Sequence, residues 1–141
     1  MMFERFTKTA REVVLQAMNV EAAALGARTV EAEHLLLALS QTIGVEHDTL
    51  IKALEAETAA SLNAVGVSLR PPPSPSQTRQ PRMGASAKIA LHRALETALA
   101  RGDREIRAEH VALGVLAADV GTVPRALAIA GLDREGLAAK L

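Results

Sequence analysis

The sequence contains no cysteine. Structural disulfides, thiolate metal sites and cysteine nucleophiles are therefore excluded. Aromatic side chains are almost missing, Phe3 and Phe6 being the only two. Drug-like pockets and base-stacking platforms lean on aromatics, so neither is favoured. Charge excess is missing too, because 16 Lys and Arg balance 16 Asp and Glu. Nucleic-acid and membrane-surface binders usually show a basic excess. No run of about 18 uncharged apolar residues occurs, so no transmembrane helix is expected. The opening Met1-Met2-Phe3-Glu4-Arg5-Phe6 is charged where a secretion signal needs an apolar run. A cytoplasmic location is the expectation.

Alanine and leucine dominate what remains, and both are strong helix formers. Runs of β-branched residues with period-two alternation are missing, so the expected fold is all-α. Thr7 can cap a helix running to about Leu25, with Ala10, Val13, Val14, Ala17 and Met18 at helical spacing. Gly26 then offers a left-handed stop. A helix from about Ala32 to Leu39 is apolar nearly all round and should be central. Gly44 marks a turn. Two further helices are expected over 49–57 and 59–65, with Gly66 as a stop. Residues 67–82 hold Pro71-Pro72-Pro73-Ser74-Pro75 and Pro81, which cannot form a helix and read as an extended linker. A proline-rich docking ligand is the alternative for that stretch. Helices then resume at 87–101 and 108–117. Pro124 suits a first turn, Gly131 stops that helix, and Asp133 can cap a last one ending at Leu141.

The two halves coincide when shifted by 76 residues. Gly26 falls on Gly102, Arg28 on Arg104, Val30 on Ile106, and Ala32-Glu33-His34 on Ala108-Glu109-His110. Leu35 and Leu37 fall on Val111 and Leu113. Such duplications bury their faces against each other, since each half alone has too small a core. Eight helices are expected, as two four-helix repeats about a pseudo-two-fold axis: repeat 1 over 1–66, the linker over 67–82, and repeat 2 over 83–141.

These residues carry a family resemblance. The opening Met2-Phe3-Glu4-Arg5-Phe6-Thr7 and the doubled Ala-Glu-His-φ-x-Leu, φ being aliphatic, resemble the N-terminal domain of the Clp ATPases, ClpC and ClpA type. The resemblance spans essentially the whole chain. It implies a non-catalytic protein- and peptide-binding module. Such a module docks adaptors, substrates or cyclic peptide ligands for an unfoldase–protease machine. No Gly-x-x-x-x-Gly-Lys-(Ser/Thr) loop is present, so the chain offers no ATP site. A free-standing decoy or adaptor, or an excised domain, is the expectation. Ala32 and Ala108 stand where the family has threonine. Met83 stands where it often has Phe, and Gly84-Ala85-Ser86 where it has Thr-Pro-Arg.

The resemblance also proposes site residues. Relatives hold peptide-like ligands at positions matched here by Phe3, Arg11, Val14, Met83, Lys88 and His92. Glu33 and Glu109 match carboxylates that help some relatives bind phosphoarginine, since a carboxylate pairs with a guanidinium in a fork. The ordinary readings are a terminal anchor for Phe3, a gap-filler for Met83, and first-turn helix acids for Glu33 and Glu109. His34 and His110 read as packed structural histidines. A metal- or acid–base-dependent enzyme using the two Glu-His pairs is the alternative function. Helix neighbours point about 100° apart, however, so neither pair forms one site alone. No cofactor or metal ligand set is expected. A helix-turn-helix regulator over Gly26–Leu39 is disfavoured by the zero net charge. Charge is uneven along the chain: residues 58–95 carry five bases and no acid. That run could meet an acidic partner, or be a solvated linker and helix face.

Overall fold

A computed structural model describes residues 2–64 and 82–141, with Met2 and Phe3 described by their backbone alone. The proline-rich stretch and the Gly66 stop lie outside the described residues, save for Arg82.

A 3-10 turn, Met2–Arg5, leads into helix α1 over residues 8–24. Thr7 caps α1, its Oγ1 accepting from the Ala10 N–H at 3.2 Å. Inside α1 the turn Ala17–Glu21 is π-helical. Strand β1, Thr29–Val30, precedes α2, Ala32–Ala38, and the one-turn α3, Ser40–Ile43. Helix α4 is His47–Ala64. Strand β2, Arg82–Met83, leads into α5, Ala85–Ala100. Helices α6, Ala108–Leu116, α7, Thr122–Ile129, and α8, Arg134–Ala139, complete the chain.

Among the described residues there are eight helices, four on each side of the linker, as the repeat implied. Their division differs in repeat 1. The helices expected over 49–57 and 59–65 form one continuous helix, because no glycine or proline interrupts 47–64. The fourth helix of the repeat is instead α3, set off from α2 at Leu39. Asp133 precedes α8 as expected, but its side chain makes no capping bond there.

The duplication is visible in the backbone. Gly26 and Gly102 both turn left-handed after the first helix of their repeat, with φ of 64° and 74°. One residue more separates Thr7 from Gly26 than separates Gly84 from Gly102. The π turn in α1 absorbs that extra residue, and α5 has no such turn. The repeats also exchange short strands. Phe6 bridges Ile106 in parallel, and β2 pairs in parallel with β1 through Thr29–Arg82 and Val30–Met83. The segment before the first helix of each repeat thus pairs with the segment before the second helix of the other.

The core sits where α2 and α6 run through the centre. Helix α2 packs on α1, α4, α5, α6 and α7, and α6 packs on α1, α2, α3, α5, α7 and α8. Leu35, Leu36, Leu37, Val111, Ala112 and Val115 are all buried. Burying a Leu or Val side chain stabilises by roughly 1.5–3 kcal/mol, so these two short segments hold the repeats together. Gly114 lets α5 approach α6: a Cβ there would collide with the Ala90 carbonyl oxygen.

Candidate functional site

The doubled Ala-Glu-His motif opens α2 and α6, and its two polar residues face different ways. His34 and His110 point inward. The Nδ1 of His34 accepts from the Glu31 N–H at 2.8 Å, and that of His110 accepts from the Arg107 N–H at 2.8 Å. Each histidine therefore holds the residue before its own helix, a structural role. With Nδ1 accepting, Nε2 carries the proton, and that of His110 meets Asp103 Oδ2 at 2.9 Å. Burial holds the His34 imidazole below its ordinary pKa, against the pull of Glu31 and Glu21.

Glu33 faces a groove between the repeats. This groove, of about 470 Å³, is walled by α2, α5, α6 and α7. Burial pushes the Glu33 carboxyl above its ordinary value, and Glu31 and Glu57 add to the rise. Among the described residues no Lys, Arg or His pairs with it. Ile89 and Val120 also line the groove, and both are exposed large apolar side chains. The carboxylate of Glu57, bonded to Arg125 at 2.8 Å, ties α4 to the α7 wall. Burial raises the Glu57 carboxyl, but bonds from Ser61 and Arg125 bring it below the usual range.

At one end of the groove Glu31 and Ser86 cap each other's helices. Glu31 Oε1 accepts from the Ser86 N–H at 3.2 Å and from its hydroxyl at 2.8 Å. The Ser86 Oγ accepts from the Ala32 N–H at 2.8 Å. Thr29 Oγ1 donates to Glu31 Oε2 at 2.9 Å. Burial opposes ionisation of Glu31, yet the bonds from Ser86 and Thr29 hold its carboxyl below the usual range. Gly84 makes room for this, since a Cβ there would overlap the Glu31 carboxylate. The Gly84-Ala85-Ser86 departure is thus matched by Glu31.

Glu109 occupies the corresponding place in repeat 2. Its surroundings are two depressions of about 390 and 210 Å³ that share Thr9 and Thr42. Arg107 stands where repeat 1 has Glu31, and its Nη1 lies 3.8 Å from Glu109 Oε1.

The peptide-contact residues inferred from the resemblance are spread over other surfaces. Arg11 is exposed on α1, whereas Val14 is buried in the core. Met83 is half-buried on β2, and Lys88 and His92 are exposed one turn apart on α5. His92 Nε2 lies 3.5 Å from Glu96. The Phe3 side chain lies outside what the structure describes. Sequence reasoning missed Glu31, Ser86 and Arg107, because their meaning depends on which repeat crosses which.

The fold and groove define a duplicated four-helix module with an open surface between its halves. The Clp repeat (R) N-terminal domain family matches residues 5–140, and the chain belongs to that family. Comparison with curated protein sequences gives no match. Solved structures share the fold. The N-terminal domain of the caseinolytic-protease-associated chaperone ClpD from Arabidopsis thaliana is 24% identical, with a TM-score of 0.74 over 99% of this chain and 93% of that one. The Hsp104 N-terminal domain from Candida albicans is 18% identical, with a TM-score of 0.63 over 96% of this chain and 87% of that one. A structure from a malarial protein secretion system is 17% identical, with a TM-score of 0.62 over 96% of this chain and 91% of that one. At these identities the likeness speaks for the fold alone. Among the described residues no helix is long and apolar enough to cross a membrane.

Proposed function

We propose that the chain is a non-catalytic docking module that takes adaptor or substrate segments of a cytoplasmic Clp unfoldase–protease system in the groove between its repeats. The observation that carries this reading is Glu33, a half-buried carboxylate on the wall of an open groove with no cation partner among the described residues. Such a group is suited to a guanidinium or ammonium from a partner, since charge-assisted bonds are the stronger ones and desolvation sharpens them. Ile89 and Val120 supply apolar contact beside it. Arg11, Met83, Lys88 and His92, with Phe3, are the further residues proposed as contacts for cyclic peptide ligands. Acting apart from an ATPase, the module would compete for the same ligands as a decoy, or deliver them as an adaptor.

The runner-up, an enzyme using the Glu-His pairs, is disfavoured by geometry. Each histidine spends its Nδ1 on a helix cap, and each glutamate faces away from it. A binding assay with a purified Clp adaptor and with an unfolded Clp substrate tests the leading reading. Saturable binding of either, weakened by Glu33→Gln, is expected. Binding of neither contradicts it.

A further inference from the structure

The two grooves descend from one repeat, yet they no longer present the same chemistry. In the first, Glu31 and Glu33 sit beside Ile89, which is 51% exposed. The equivalent positions in the second hold Arg107, Glu109 and Glu12. Glu33 has no cation from its own chain among the described residues, whereas Glu109 has the Arg107 guanidinium 3.8 Å away. Glu12 in place of Ile89 removes the aliphatic wall as well. The other charges lining the first groove are Asp119, Arg93 and Arg125, of which Arg125 is bound to Glu57.

We propose that the grooves are functionally unequal: the chain seats one segment bearing a cationic side chain next to an aliphatic one, in the groove of Glu33, and none in the groove of Glu109. Arg107 is a tethered stand-in for the ligand's cation. An incoming guanidinium at Glu109 would have to displace it, and would meet like charge from it. The single-site chemistry rests on the reading of the Glu33 groove given above. It adds that duplication of the fold has not kept duplication of the site.

Amide-resolved NMR of the whole chain, titrated with the peptide acetyl-Leu-Arg-Leu-amide, tests this. One saturable set of shifts at Ser86, Ile89 and Gly121 is expected, with one equivalent bound and Thr9 and Thr42 unmoved. Glu33→Gln should weaken binding at least tenfold, and Glu109→Gln should leave it unchanged. The double variant E12I/R107E, built on two exposed positions, should gain a second set of shifts at Thr9 and Thr42. Shifts of similar affinity in both grooves of the unaltered chain would overturn the inequality while leaving the docking role intact. A double variant that folds but still binds one equivalent would also overturn it. No saturable shift anywhere would overturn the reading of the Glu33 groove and this inference with it.

Discussion

Glu31 and Ser86 exchange helix caps across the boundary between the repeats: the carboxylate takes the Ser86 N–H that opens α5, and the Ser86 hydroxyl, 2.8 Å away, takes the Ala32 N–H that opens α2. A helix start leaves its first N–H groups without partners, and capping usually comes from the same chain segment. Here each helix is capped by a residue more than 50 positions distant in sequence. Capping and docking of the repeats are one event.

The two caps should therefore be coupled. Ser86→Ala and Glu31→Ala are each expected to cost about 0.5–2 kcal/mol, the usual range for a lost N-cap. Residues that share a bond are not additive, so the double variant should lose less than the sum of the singles, by about 0.5 kcal/mol or more. Urea unfolding of the four species checks this. Strict additivity would mean that the two caps act independently.

Gly114→Ala sets helix propensity against packing. An exposed helical glycine gains about 1 kcal/mol on becoming alanine. At position 114 the new methyl meets the Ala90 carbonyl oxygen, and the Ala94 nitrogen 3.0 Å away, both backbone atoms that cannot swing aside. Overpacking of this kind costs about 1–3 kcal/mol. A lowered Tm is expected, together with displaced amide signals along α5 and α6. Ala38 holds the equivalent place in repeat 1, so Ala38→Gly should bring no comparable gain.

Glu33 separates stability from binding. Its carboxyl is raised by burial, so the ionised form opposes folding as pH rises through the folded-state value. Glu33→Gln should leave stability at neutral pH unchanged or higher. Loss of a charged hydrogen-bond acceptor costs about 1.5–3 kcal/mol of binding, roughly ten- to hundredfold in affinity. Thermal denaturation beside a ligand titration reads both. A variant that is clearly less stable at pH 7 would assign Glu33 a structural role.

Acid should loosen the protein in two stages. His34 has a folded-state pKa lowered by burial, so its contribution is complete above the unfolded value of 6.5 and is lost as pH falls toward the folded one. Protonation also removes the Nδ1 acceptor that holds the Glu31 N–H. Glu31 and Glu57, both lowered, lose their contributions further down, below the ordinary carboxylate value of 4.5. His34→Gln keeps an acceptor and loses the titration. Its urea midpoint should fall less than that of the unaltered chain between pH 7 and pH 5.5. An equal fall in both would remove His34 from the first stage.

Much of this architecture is legible in the residues, because the signals are local. Thr7, Gly26 and Gly102 mark helix ends through their own backbone chemistry, and Leu35-Leu36-Leu37 announce a central helix by being apolar all round. The π turn was not read from the sequence, because the extra residue between Thr7 and Gly26 shows only once the structure places the start of α5 at Gly84. The break between α2 and α3 carries no glycine or proline to mark it, and α4 runs on past Glu57-Thr58, where no glycine or proline stops it. The site is less legible for the same reason. Glu33 could be picked out from its motif, but its lack of a cation among the described residues could not, nor could the 3.8 Å approach of Arg107 to the matching Glu109. Val14, matched to a contact position in relatives, shows 4% exposure here.

The most direct test is to follow the amide spectrum of the chain while adding an unfolded Clp substrate. Docking in the groove between the repeats predicts shifts centred on Glu33, Ser86, Ile89 and Gly121, reduced by Glu33→Gln. Shifts confined to the outer face of α1 around Leu15 and Asn19, or none at saturating ligand, would contradict it.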